Sequence, residues 1–269
     1  MLILNERFSF RDQSVAWGAM GQGKPIVFIH GFPWNAQAWR NIAPWLAQHN
    51  KVYYFDMVGT GLSQKFDGQN VTETVQSDLL EALINHWGLD APQVVGHDFG
   101  GLAALRGHFV NGLSYAKLHL INAVALLPSG SPFYAHVAHH ETAFAGMPEY
   151  AFDAIFKAYI QNAAHYNLRD EAIDVYLEPW ASESGKAAFF RQIAQSDTGN
   201  IQQVQELYQK AEFDVHIMWG IKDTFIPLER GRKLAGLLHA SSFTEISNAA
   251  HIVQEDAPES IVATILNNI

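Results

Sequence analysis

The short apolar run Val94-Val95 closes on Gly96-His97-Asp98-Phe99-Gly100-Gly101, and the segment Gly100–Val110 that follows is helix-like. Gly-x-Asp-x-Gly at that point is the layout of a tight strand-to-helix elbow, in which a Cβ at either flanking glycine would clash. Such an elbow lifts its apex side chain above the end of a buried strand, so it restricts the chain to folds in which strands feed directly into helices. The apex residue of this elbow is commonly serine; here it is Asp98. A hydroxyl needs a base to become nucleophilic, whereas a carboxylate is already ionised at neutral pH.

The rest of the chain alternates in the same way. Arg7–Arg11, Val15–Met20, Pro25–His30, Lys51–Asp56, Gln93–Gly96 and Lys117–Asn122 read as strands. Asn35–Gln48 reads as a helix with Trp39, Ile42 and Leu46 on one face, and Val71–Trp87 as a long amphipathic helix ended by Gly88. The alternation predicts an α/β fold, a mostly parallel sheet with helices on both faces. The pattern changes at Pro128-Ser129-Gly130-Ser131-Pro132. Up to Phe213 only helices are expected, over Tyr150–His165, Asp170–Leu177, Gly185–Ala194 and Thr198–Lys210. Strands resume at Val215–Trp219 and Phe243–Ile246, and a last helix starts after Pro258. The expected division is a core of residues 1–127 and 214–269 with a helical cap, 128–213, inserted in it.

Composition excludes several classes. The 269 residues carry 17 Lys+Arg against 27 Asp+Glu, a net charge of −10 with no basic run, which argues against nucleic acid as a partner. There is no cysteine, hence no disulfide, thiolate metal site or Cys nucleophile. The N-terminus has no signal-peptide pattern and no apolar stretch reaches the ~20 residues of a membrane span, so a cytoplasmic protein without a membrane partner is expected. His136, His139, His140 and Glu141 have helix-face spacing but no matching further ligand, so no metal and no other cofactor is expected.

Three positions line up as a constellation. Asp98 occupies the elbow; Asp223 follows the strand Val215–Trp219 through Gly220-Ile221-Lys222; His251 follows the strand Phe243–Ile246 through Ser247-Asn248-Ala249-Ala250. Each stands just past the carboxyl end of a strand, where open α/β sheets place their sites. Asp98 would attack a carbon bearing a leaving group to give an ester. His251 would activate water to hydrolyse it, and Asp223 would orient the imidazole. The backbone N–H groups of Phe32 and Phe99 are placed to form an oxyanion hole. Asn122 stands where some relatives of this arrangement have an acid; an amide cannot act as that carboxylate, so Asp223 is taken as the third member. His30 and His97 are read as hydrogen-bonding braces of the elbow.

The chain resembles the α/β-hydrolase fold family, in its aspartate-nucleophile branch, which includes epoxide hydrolases and haloalkane dehalogenases. The resemblance rests on the elbow, on Asp223 and His251 in that order, on His30-Gly31-Phe32-Pro33, similar to the HGxP element of that branch, and on Asp56-Met57-Val58-Gly59-Thr60-Gly61-Leu62-Ser63, similar to its DxxGxGxS turn. It implies a cofactor-free hydrolase acting on a small apolar substrate, as a monomer or homodimer.

The leaving group separates the relatives. Haloalkane dehalogenases hold the halide with the N–H of a Trp after the nucleophile and often of an Asn in the HGxP element. Phe99 and Phe32 stand there, leaving Trp34 or Trp180 as substitutes. Fluoroacetate dehalogenases place arginines just after the nucleophile; here stand Phe99 and Leu102, with Arg106 a turn further on. Epoxide hydrolases protonate the opening oxygen with cap tyrosines, and Tyr134, Tyr150, Tyr159, Tyr166, Tyr176 and Tyr208 are available, although Phe190 occupies a segment where one such tyrosine is often found. The reading is therefore epoxide-hydrolase-like, with a dehalogenase-like hydrolase as the alternative and, from another class, a non-catalytic ligand-binding or sensing protein on a hydrolase fold. Trp34, His140, Phe144, Tyr150, Trp180 and Phe190 are the expected pocket residues.

Overall fold

The computed structural model describes residues 1–268. Its strands are β1 (Glu6–Phe10), β2 (Gln13–Met20), β3 (Lys24–Ile29), β4 (Asn50–Phe55), β5 (Gln93–His97), β6 (Lys117–Ile121), β7 (Asp214–Gly220) and β8 (Ser242–Ile246). They form one sheet in the order β1-β2-β4-β3-β5-β6-β7-β8. β1 and β2 pair antiparallel, β2 meets β4 antiparallel, and every pairing from β4 to β8 is parallel. The central strands are short and almost wholly apolar, as strands covered on both faces must be: Ile26, Val27, Phe28, Ile29, Val94 and Val95 are all fully buried.

Helices cover both faces. α1 (Ala43–Leu46) and α12 (Pro258–Leu266) lie on one side, where Trp39, Ile42, Leu46, Ile261 and Ile265 share a core with Ile26, Phe28 and Val95. α2 (Glu73–His86), α3 (Phe99–Phe109) and α10 (Leu228–Leu238) lie on the other, around Val27, Val94, Leu118 and Ile217. The single helix expected over 35–48 is in fact a 3₁₀ turn, Ala36–Trp39, and the one-turn α1. Asn35 caps the first by accepting from Gln37 N–H, and Pro44 lies in the first turn of the second, so each piece has its own start signal. Trp39, Ile42 and Leu46 are nonetheless all buried on one side.

Between β6 and β7 lie only helices among the described residues: α4 (Pro132–His139), α5 (Glu141–Ala145), α6 (Glu149–Asn162), α7 (Asp170–Leu177), a 3₁₀ turn (Glu178–Trp180), α8 (Glu183–Ala194) and α9 (Thr198–Gln205). Their aromatic core, with Phe152, Phe156, Tyr176, Phe189 and Phe190, extends onto Phe32, Trp34 and Ile252 from the loops after β3 and β8. α11 (Val253–Asp256) closes the histidine loop. No helix among the described residues is long and apolar enough to cross a membrane.

Candidate active site

The elbow has the strained geometry its function in the fold demands. Asp98 adopts φ 53° and ψ −123° between β5 and α3, a conformation that costs a side-chain-bearing residue about 1–3 kcal/mol. Surrounding hydrogen bonds hold it there: its carbonyl accepts from Gly101, Leu102 and Val124 N–H, and its own N–H donates to Ile121. Two glycines make the close approach possible. A Cβ on Gly100 would lie 2.3 Å from the Ile29 carbonyl oxygen, and one on Gly31 would lie 2.2 Å from Asp98 Oδ1. Because Gly31 leaves that space open, the next backbone N–H, that of Phe32, donates to Asp98 Oδ1 at 2.9 Å.

The other oxygen faces histidine. His251 Nε2 is 3.3 Å from Asp98 Oδ2, while its Nδ1 is 2.9 Å from Asp223 Oδ2. Asp223 is held by four donors: Phe225 and Ile226 N–H on Oδ1, and Asn122 Nδ2 (2.6 Å) and His251 on Oδ2. An oxygen so supplied acts as acceptor, which puts a proton on His251 Nδ1. Burial pushes the Asp223 carboxyl up, but the charge of His251 and these hydrogen bonds outweigh it and hold the group below the usual carboxylate range. Burial pulls His251 down, and the charges and hydrogen bonds of Asp223 and Asp98 reverse this and raise it well above the ordinary imidazole value. His251 thus lies between Asp98 and Asp223, both of which favour its protonated form.

The bracing residues are in place. His30 donates through Nδ1 to the Gly31 carbonyl and accepts through Nε2 from Met57 N–H, tying the loop after β3 to the turn after β4. His97, kept neutral by burial, donates through Nε2 to the His251 carbonyl. Asn122, set aside as a catalytic acid, instead links Asp223 to β7, because its Oδ1 accepts from Gly220 N–H while its Nδ2 donates to the carboxylate. The histidine loop is also pinned to the helical segment: Ile252 N–H donates to Ala163, and Asp256 accepts from Ala250, His165 and Tyr166 N–H.

Two cavities adjoin across Phe32, Phe99 and Tyr134, and one of them reaches Asp98. One is lined by Asp98 together with Phe32, Phe99, Tyr134, Tyr159 and Phe225. The other shares Phe32, Phe99 and Tyr134 and runs toward Met57, Glu73 and Gln192. Burial raises both tyrosine hydroxyls above the usual phenol range, for Tyr134 against the opposing effect of a hydrogen bond with Ser196, and the Asp98 charge adds to the rise, so both remain protonated. The remaining tyrosines of the helical segment lie elsewhere. Tyr150 and Tyr166 are exposed, Tyr176 is bonded to Arg40 and Glu255, and Tyr208 donates to Ala125 O.

None of the six expected pocket residues lines either of these cavities. Trp34 and Phe190 are fully buried within the aromatic core, and Trp180 is buried with its indole N–H donating to the Pro33 carbonyl. Phe144 packs on Phe133 and Phe190, His140 is exposed beside His136, and Tyr150 is 78% exposed. Helical spacing identified an apolar face, but the side chains of the helical segment that line the cavity with Asp98 are Tyr134 of α4 and Tyr159 of α6. Arg106 is turned away too, bonded to Asn200, Gln203 and Thr74. Among the described residues no group of His, Asp and Glu has the arrangement of a metal site.

Comparison with known proteins agrees with this fold. Residues 26–264 match the alpha/beta hydrolase family. An alpha/beta hydrolase fold protein from Burkholderia ambifaria superposes with a TM-score of 0.97 at 44% identity, over 99% of this chain and 98% of that one. A soluble epoxide hydrolase from Corynebacterium sp. is 33% identical over 141 residues, 51% of this chain and 49% of the relative, so the match spans about half of each. A haloalkane dehalogenase from Bradyrhizobium elkani has a TM-score of 0.80 at 18% identity, over 97% of this chain and 96% of that one, a likeness of fold.

Proposed function

The chain belongs to the alpha/beta hydrolase family, and we propose that within it this protein opens small epoxides through an ester on Asp98, with residues 128–213 as a cap over a core of 1–127 and 214–269. The observation that carries the reading is that Asp98 shares its cavity with the protonated hydroxyls of Tyr134 and Tyr159. The positions that would hold a halide are Phe32 and Phe99, which offer no side-chain N–H, and the Trp180 N–H is already used by Pro33. The walls near Asp98, Phe32, Phe99, Val124, Phe225 and Ile226, suit an apolar substrate.

Oδ1 of Asp98 is engaged by the Phe32 N–H, so Oδ2 makes the bond to the epoxide carbon. The carbon–oxygen bond of the ring breaks, and the alkoxide takes a proton from the tyrosine pair. Ester formation removes the negative charge of Asp98, one of the two charges that raise His251. His251 then releases a proton, which restores the tyrosine, and the neutral imidazole becomes the base the second step needs. It takes a proton from water, the hydroxide adds to the ester carbon, and the oxyanion forms on Oδ1 beside the N–H groups of Phe32 and Phe99. Collapse, with the proton returned through His251, releases a 1,2-diol carrying the former Oδ2. The Asp98 carboxylate and the imidazolium are regenerated.

The test is a single turnover of 1,2-epoxyhexane in H₂¹⁸O with enzyme in excess. The ester route gives diol without ¹⁸O and leaves the label in Asp98. Label in the diol of the first turnover means direct attack by water and overturns the proposal.

A further inference from the structure

The cavity that leads away from Asp98 ends on polar side chains. Beyond Phe32, Phe99 and Tyr134 it is lined by Thr60, Glu73, Gln76, Gln192 and Ser196. Glu73 is the unusual member. It opens α2, is only 5% exposed, and comes from the core, whereas Ser196 and Asp197 lie between α8 and α9 and Asn200 is in the first turn of α9. Its carboxylate accepts from Ser196 Oγ at 2.7 Å, from Asp197 N–H at 3.2 Å and from Asn200 Nδ2 at 3.0 Å. Neighbouring Gln76 is spent on the backbone of Val58 and Val71, and Thr60 donates to Met57. Arg106, the nearby cation, donates to Asn200, Gln203 and Thr74 and does not line the cavity. A buried carboxylate, the one charged group among the described residues lining this cavity, prefers a ligand that brings a donor and disfavours one that brings a second negative charge.

We propose that this arm is a recognition site for a distal hydroxyl, so that the preferred substrate is a terminal epoxide bearing a hydroxyl at its other end, and that Glu73 sets this preference and excludes carboxylates. This rests on the epoxide reading of Asp98 and adds what the far end of the substrate must be. Tyr134 stands at the junction of the two arms, so one molecule can present its ring to Asp98 and Tyr159 while its tail runs past Phe99 to Glu73.

The experiment has a kinetic part and a part without turnover. kcat/KM is measured for chain-matched 1,2-epoxyhexane, 5,6-epoxyhexan-1-ol and 5,6-epoxyhexanoate with the wild type, Glu73→Gln and Ser196→Ala. A hydrogen bond to a charged acceptor predicts that the hydroxy-epoxide exceeds the alkyl epoxide by about tenfold or more, and that the carboxylate is the poorest of the three. Glu73→Gln lowers the hydroxyl preference and raises the relative rate of the carboxylate. Ser196→Ala, which keeps the carboxylate, retains both preferences, so disruption of the wall alone is told apart from loss of the charge. Binding of the unreactive 1,6-hexanediol and 1-hexanol is followed by thermal shift on the same proteins. A diol advantage that Glu73→Gln removes supports the arm even if no epoxide is hydrolysed, in which case the epoxide reading alone has failed. Equal binding of the two alcohols to the wild type, or equal kcat/KM for hydroxy and alkyl epoxides, overturns the proposal.

Discussion

Replacing Asp98 by Asn should move the ionisation of His251, and by an amount the structure sets. The imidazole lies 2.9 Å from Asp223 and 3.3 Å from Asp98, with 1% of its surface exposed. With charge centres on the order of 5 Å apart and an effective dielectric of about 20, the Asp98 carboxylate favours the imidazolium by about 3 kcal/mol, or about two pKa units. In Asp98→Asn that attraction is gone. The amide oxygen takes over as acceptor for Phe32 N–H, so its NH₂ faces His251 Nε2, which then accepts rather than donates. The variant therefore reproduces the charge state of the ester. Titration of ¹⁵N-labelled histidine by NMR should give a His251 value well above 6.5 in the wild type and one lower by about two units in Asp98→Asn. His97, neutral through burial, should stay low in both. An unchanged His251 value, or a wild-type value already below neutral, would refute the idea that loss of the nucleophile's charge turns the imidazolium into a base.

Three further expectations follow from the same geometry. Tyr134→Phe and Tyr159→Phe should each slow ester formation from an epoxide about 10²-fold, the usual weight of a positioned acid, while the decay of an ester already formed is little changed; rapid-quench kinetics separate the two steps. Asn122→Ala removes a donor from Asp223 and an acceptor from Gly220 N–H, so chemical denaturation should show a loss of about 2–3 kcal/mol together with a reduced kcat. Because His251 is raised in the folded state, its stabilisation is complete below its unfolded value near 6.5 and is lost as pH rises through the folded value; melting temperature should decline on the alkaline side in the wild type, and His251→Gln should flatten that decline.

The elbow was legible because Gly96 and Gly100 are dictated by backbone clearance, which a short motif records directly. Asp223 and His251 were legible because each follows a strand of strong apolar pattern. Asn122 was noticed for its position and rightly set aside as an acid, but its use was not foreseen: hydrogen bonding to Asp223 across neighbouring strands is a tertiary fact. Tyr134 was counted among the cap tyrosines but lay in a stretch with no helix assigned, yet Ser131 accepts from Tyr134 N–H and Pro132 occupies the first helical turn, so Ser-Pro already announced α4. α10 went unassigned because Gly231 and Gly236 weaken its pattern; Gly231 is required where a Cβ would lie 2.6 Å from the Trp219 ring. Glu73 carried no signal of its own, since a glutamate in the first turn of an amphipathic helix is ordinarily a solvated residue, and here Ser196 and, in α9, Asn200 bond its carboxylate.

The central claim is that Asp98 carries a covalent ester that His251 discharges, and intact-protein mass spectrometry of His251→Gln tests it most directly. After incubation with 1,2-epoxyhexane the folded variant should gain the mass of one epoxide, and peptide mapping should place it on Asp98. Folded protein without an adduct, or an adduct on a residue other than Asp98, would contradict the account.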